Sequence, residues 1–325
     1  MERLELGATD LVVSRLGLGT MTWGGVTDEE AAAEQLKAFI EAGGNFLDTA
    51  DVYAAGRAEE TIGKLLGGVV AREDIVLASK AVGVLDGGPR PRSDASKRHL
   101  LEALDASLRR LGTDHLDLWQ MHAWDSTVPL EETMEAIDVA VSSGRVRHAG
   151  ICNYSGWQTM KATGIQKAQG RPPLASTQVE YSLLERGIER EVVPAVQDQN
   201  LGILCWASLG RGVLTGKYRN GVPERRLKSK PFQAYVGQRL DEHSTRIVAA
   251  VAEAADTLGV GMVDIALSWL WRQPWVTVAL VGARNSAQLQ DSLAAATKNF
   301  TLPEDTFSSL SLVSRPQRGY PENGV

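Results

Sequence analysis

The chain has 325 residues and a mass of 35.1 kDa, with 40 acidic and 34 basic side chains and a net charge of −6. That mild acidity offers no basic face to a phosphate backbone, which argues against nucleic-acid binding. Two cysteines cannot build a disulfide framework, MERLELGATD lacks the pattern of a signal peptide, and no window approaches roughly 18 uninterrupted apolar residues, so a membrane span is excluded and a cytoplasmic protein is expected.

In chain order, residues 4–13 read as a hairpin turning at Gly7–Asp10, able to plug one mouth of a barrel. Short apolar runs then alternate with amphipathic stretches. A strand at Leu16–Met21 precedes a helix at Glu29–Glu41, and Asn45–Thr49 precedes Glu59–Leu66. Strands Ile75–Lys80, Leu116–Met121 and His148–Cys152 precede helices Ser96–Leu111, Leu130–Ser143 and Gly156–Ala168. Ala175–Val179 leads to Glu189–Asp198. After Gly202–Trp206 comes a long connection over 218–243, expected as a lid or binding loop, then helices Ser244–Leu258 and Val263–Arg272. The last strand, Val276–Leu280, leads into a helix at Ser286–Ala296, and the terminal RPQRGYPENGV reads as irregular. Start and stop signals support several of these: Thr27 ahead of Asp28, Glu29 and Glu30, Gly43–Gly44 after the first helix, and Pro129 at the first turn of another.

Eight strands alternating with eight helices, without a break in composition, predict a closed parallel (β/α)8 barrel spanning residues 1–325 as one domain. The competing doubly wound sheet would show GxGxxG after its first strand. Gly17-Leu18-Gly19-Thr20-Met21-Thr22 lacks the third glycine. The barrel is favoured.

Active sites of such barrels stand at the C-terminal strand ends. There the sequence places Asp48, Thr49, Asp51 and Tyr53, then Lys80, Gln120 and His122, then Cys152-Asn153, Gln178, Trp206 and Gly282-Ala283-Arg284. Singly, each has a bland explanation: Asp48 as a helix cap, Lys80 as a solvated charge, His122 as a satisfied histidine. Convergence on one rim favours chemistry. A phenol with a pKa of about 10 is a poor acid near neutrality unless an ammonium stabilises its phenolate and a carboxylate holds that ammonium. With a histidine to orient a carbonyl oxygen, Asp48, Tyr53, Lys80 and His122 suit protonation of an oxygen gaining charge as a carbonyl carbon takes a hydride. No side chain supplies hydride, so a nicotinamide is implied. The five histidines and two cysteines show no metal-ligand spacing, and no metal is expected.

LDTADVY, LASK, WQMH, GICNYS, QVEYSLLER, LGRGVLTGKY and VGARNSAQLQDSL, in this order at consecutive strand ends, resemble the aldo-keto reductases over Leu16 to Leu293. The branch most similar holds bacterial sugar and ketone reductases and reductase-like potassium-channel beta subunits. The resemblance implies Tyr53 as general acid/base, Lys80 and Asp48 as its assistants, and His122 as the group positioning the carbonyl. It implies Asn153 and Gln178 on the nicotinamide carboxamide and Trp206 on its face. Ala207, Ser208, Leu209, Gly210 and Lys217 would line the pyrophosphate, and Gly282, Arg284, Gln288 and Asp291 the adenosine end. Gly19, Thr20, Met21, Asp48 and Cys152 complete the implied cofactor site. Arg284 suits a 2′-phosphate and favours NADPH, with NADH left open as a second cofactor. Three departures stand out: Cys152 for the usual Ser, Ala207-Ser208 for Ser-Pro, and Ser292 for Asn.

Trp23 and Trp124 are expected as substrate-pocket walls with Tyr53 and His122. Trp269, Trp271 and Trp275 are expected in packing, with any exposed one at a subunit interface, so a homo-oligomer stays open. The expected function is NADPH-dependent reduction of a small aldehyde or ketone. Two alternatives remain: a cofactor-bound regulatory subunit with incidental catalysis, and an isomerase or aldolase using Lys80 as a Schiff-base amine.

Overall fold

The computed structural model describes residues 1–84, 92–298, 300–317 and 319. Part of the terminal stretch read as irregular, 318 and 320–325, lies outside them. Strands β1 (Arg3–Glu5) and β2 (Val12–Ser14) pair antiparallel. The barrel strands are β3 (Leu16–Gly19), β4 (Phe46–Asp48) and β5 (Val76–Ala81), followed, after a small hairpin of β6 (Gly83–Val84) and β7 (Arg92–Ser93), by β8 (Leu116–Met121), β9 (Val146–Cys152), β10 (Leu174–Glu180), β11 (Gly202–Trp206) and β12 (Val276–Val281). All eight run parallel in sequence order, and β12 closes onto β3 with Ala279 opposite Leu16.

One helix follows each of the first six barrel strands: α1 (Glu29–Glu41), α2 (Arg57–Leu65), α3 (Lys97–Leu111), α4 (Leu130–Ser142), α5 (Gly156–Ala168) and α6 (Val192–Gln199). The β11–β12 connection carries α7 (Glu224–Leu227), α8 (Lys230–Tyr235), α9 (Glu242–Leu258) and α10 (Met262–Trp271). After β12 come α11 (Ser286–Thr297) and α12 (Glu304–Val313). Caps fix the starts: Asp28 accepts from Ala31 N, Ser96 from His99 N, and Ser155 and Gln158 form a reciprocal capping box. α6 begins later than predicted from Glu189, which leaves Pro194 in its first turn, where no N–H is needed. The connection expected as a loop contains α7 and α8, and α12 was not predicted at all.

The hairpin closes the N-terminal mouth. Leu6, Leu11 and Val13 pack on Phe46, Val76, Leu118, Leu204, Val278 and Leu280 inside the barrel, each buried aliphatic contributing about 1.5–3 kcal/mol. Asn45 staples it there, accepting from Ser14 N at 2.7 Å and donating to the Val12 carbonyl at 2.9 Å. The turn needs Gly7, at φ +59°, because a Cβ would lie 2.7 Å from the Ala175 and Asn200 carbonyl oxygens. With one mouth filled, the other is left for chemistry. A larger core lies between barrel and helices. Trp269 is fully buried there, its Nε1 donating to Ser311 of α12 at 2.9 Å, and Trp271 and Trp275 are half-buried, so none of the three forms an exposed interface. No described helix is long and apolar enough to cross a membrane.

Candidate active site

Strand pleat aims alternate side chains inward, and three strand ends converge at the open mouth. Asp48 ends β4, Lys80 lies near the end of β5, and His122 follows β8. Tyr53 comes from a short turn after β4, where Ala54 and Ala55 adopt left-handed φ of 50° and 58°. Lys80 is fully buried. Its Nζ donates to Asp48 Oδ2 at 2.6 Å, to the Thr49 carbonyl at 2.9 Å and to the Tyr53 hydroxyl at 3.2 Å. The Tyr53 and His122 rings meet edge to face with centroids 5.9 Å apart. The structure thus brings all four predicted residues together.

Burial alone would lower the Lys80 pKa, but the charges of Asp48 and Tyr53 hold its proton and the net direction is up. An ammonium so paired is not the neutral amine a Schiff base requires, which disfavours the aldolase reading. For Tyr53, burial raises the pKa, Lys80 pulls it down, and Asp48 opposes that pull. The net direction is up, contrary to the lowering expected from an ammonium alone. The phenol keeps its proton near neutrality. His122 is pushed down to about 3 by burial and by Lys80, so its imidazole is neutral.

Asp48 Oδ1 also accepts from Gln178 Nε2 at 2.8 Å and from Gln120 Nε2 at 3.3 Å. Gln120 was noted at its strand end but given no role. Its place two residues before His122, on the inward face of β8, was the available signal. Cys152 is buried, its sulfur 3.7 Å from Gln120 Oε1, with burial pushing its thiol up: a packed residue, not a reactive one.

Asn153, at φ +59°, donates to the His122 carbonyl at 3.0 Å and accepts from Trp206 Nε1 at 3.0 Å. After Trp206 the chain turns tightly through left-handed Ala207, Gly210, Arg211 and Gly212. Gly210 N donates back to the Ala207 carbonyl, and a Cβ on Gly210 would lie 2.6 Å from Leu184. The Ser208 hydroxyl donates to the Cys205 carbonyl at 2.9 Å. Lys217 Nζ fills the space over Gly212 that a Cβ would take.

Thr20 is buried and donates to the Asp48 carbonyl at 3.0 Å, between half-buried Gly19 and exposed Met21. Arg284 is exposed before α11; its backbone N–H donates to Gln288 Oε1 at 3.2 Å, and Asp291 lies exposed nearly one turn further. Ser292 is buried. Of the expected pocket walls, Trp124 stands near the mouth, edge to face with Tyr154 at 5.3 Å and Trp157 at 5.4 Å. Trp23 does not. It is fully buried, drawn under α1 by a turn onto Thr20 and by Nε1 donating to Gln35 at 3.1 Å.

Behind the tetrad lies a second carboxyl pair. Glu59 of α2 is fully buried and accepts from Ser79 at 2.6 Å and from Arg110 at 2.7 Å. Burial and the Glu59 charge raise Asp51 from 3.8 to about 7, against Arg110 and Lys80, and its Oδ1 has no partner among the described residues. From about pH 4 to 7 the folded chain therefore holds a proton the unfolded chain has lost. That stabilisation is complete below about pH 4 and is lost as pH rises through 7. Asp51→Asn should gain about 1–3 kcal/mol over the native protein near pH 8 and little near pH 4, read by thermal unfolding at both. Equal effects at the two pH values would contradict the assignment.

The family model described as Aldo/keto reductase family matches residues 15–314. The chain belongs to this family. Membership makes it an NAD(P)H-dependent oxidoreductase, and the family acts on small carbonyl compounds. Among its relatives, the uncharacterized oxidoreductase YrpG of Bacillus subtilis is 35% identical over 91% of each chain. A probable voltage-gated potassium channel subunit beta of Arabidopsis thaliana is 32% identical over 91% of each. The aldo-keto reductase YhdN of Bacillus subtilis is 33% identical over 89% of this chain and 87% of its own.

Proposed function

We propose that this aldo-keto reductase reduces an aldehyde or ketone to an alcohol with NADPH, with Tyr53 as the proton donor. The observation that carries the reading is the buried Lys80 ammonium, 2.6 Å from Asp48 and 3.2 Å from the Tyr53 hydroxyl. When bound, the nicotinamide supplies the hydride that reduces the carbonyl carbon. Tyr53 gives its phenolic proton to the oxygen as negative charge grows there, and Lys80 stabilises the phenolate left behind. Asp48 fixes Lys80 and cancels enough of its charge for Tyr53 to begin protonated. His122, neutral, donates a ring N–H to the carbonyl oxygen and orients it.

The rim fits a nicotinamide dinucleotide. Trp206 offers a partly exposed flat face, beside the Asn153 and Gln178 amides that would hold the carboxamide. The turn from Ala207 to Gly212 is left-handed at Ala207, Gly210, Arg211 and Gly212 and has the Lys217 ammonium against it, a cation for the pyrophosphate. At the adenosine end, the exposed Arg284 guanidinium before α11 supports a preference for the 2′-phosphate of NADPH. Arg284→Ala is expected to raise the NADPH Kd by about 10-fold or more, the worth of one charge-assisted pair, and to spare NADH. Titration by tryptophan quenching checks this; equal losses for both cofactors would discard the assignment.

A further inference from the structure

A charged joint reaches the aromatic residue at the rim of the site. Arg211, at φ +56° in the turn after β11, makes a two-pronged pair with Glu180. Nε to Oε1 is 3.1 Å and Nη2 to Oε2 is 2.7 Å, and Nη1 donates to the Tyr235 carbonyl at 2.6 Å. The same guanidinium lies 5.5 Å from the Trp206 ring centroid and 4.5 Å from that of Tyr235. Glu180 also accepts from Arg239 at 3.1 Å, and Arg239 bonds Glu185 at 2.8 Å. One guanidinium thus joins the end of β10, two residues past Gln178, to the turn carrying the rim aromatic and to the end of α8.

The Arg211 and Glu180 side chains are only 12% and 14% exposed, so solvent and salt screen the pair weakly and the fork fixes its geometry. A cation beside an indole is attracted by the ring quadrupole. Trp206 is therefore held at Nε1 by Asn153 and at its ring by Arg211. No group of Arg211 is assigned to proton transfer, and its three side-chain hydrogen bonds all go to protein acceptors.

We propose that Arg211 is a positioning residue for the cofactor: through Trp206 and Tyr235 it fixes the aromatic face and the adjoining segment, and so slows cofactor release. The proposal rests on the reading above, in which Trp206 meets the nicotinamide. Arg211→Gln removes the cation while Glu180 keeps Arg239, so no carboxylate is stranded. The variant is expected to raise the NADPH KM by about 10-fold, the worth of a desolvated cation–π contact and its ion pair. Cofactor release in stopped-flow tryptophan fluorescence should quicken in the same proportion. The rise in KM should exceed any change in kcat, because cofactor binding rather than the hydride-transfer transition state is affected. Glu180→Gln cuts the same fork from the other side and should raise KM in the same sense, so either folded variant suffices. Unchanged KM and release, or a fall in kcat at constant KM, would overturn the proposal. Native protein measured alongside separates the two readings. Failure of the native chain to bind or oxidise NADPH defeats the functional reading and this proposal with it; native turnover with unaltered affinity in the variants defeats this proposal alone.

Discussion

Tyr53→Phe is expected to lower carbonyl turnover by about 10²- to 10⁴-fold, the range general acid catalysis contributes. NADPH affinity should hardly change. The substitution removes one oxygen that accepts a single 3.2 Å bond from Lys80, and Lys80 keeps Asp48 and the Thr49 carbonyl. Fold and cofactor rim should therefore survive, leaving only the proton donor missing. Single-turnover kinetics beside fluorescence titration separates the steps. A variant that binds NADPH and transfers hydride at the native rate would end the role given to Tyr53.

Lys80→Met should be costly in a different way. Asp48 is 3% exposed and, among the described residues, loses its only cation and keeps the Gln120 and Gln178 amides. Breaking a buried pair from one side costs about 3–5 kcal/mol, because the stranded charge stays desolvated. Activity should fall with stability, since the phenolate loses its counter-charge. Adding Asp48→Asn to Lys80→Met should return part of the stability, as a neutral amide needs no cation, but none of the activity. Urea unfolding of the two singles and the double checks this. Native-like stability in Lys80→Met would mean that the pair carries little.

The barrel was legible because both of its periodicities are written in the sequence: short apolar runs for buried parallel strands, and capped amphipathic stretches for the helices. The tetrad was legible because Asp48, Lys80 and His122 each stand at or just past a strand end, where pleat and closure leave few directions to point. What failed depended on side-chain direction in irregular backbone. Trp23 follows its strand as Trp124 follows another, yet a turn onto Thr20 and the Gln35 side-chain Oε1 draw its indole inward. Gln120 could have been found from alternation with His122. α12 could have been found from Pro303 followed by Glu304 and Asp305, an acidic first turn. The Arg211 joint could not, because Glu180 and Tyr235 meet it only through the fold.

The most direct test of the account is NADPH oxidation, followed as loss of nicotinamide absorbance, over a panel of aldehydes, ketones, keto sugars and pyridoxal, with native protein and Tyr53→Phe side by side. The account predicts turnover of at least one carbonyl compound by the native protein, abolished to within a few per cent in the variant. Equal rates in both proteins, or NADPH that binds and is never consumed across the panel, would contradict it, and the second result would favour a cofactor-sensing subunit in place of a reductase.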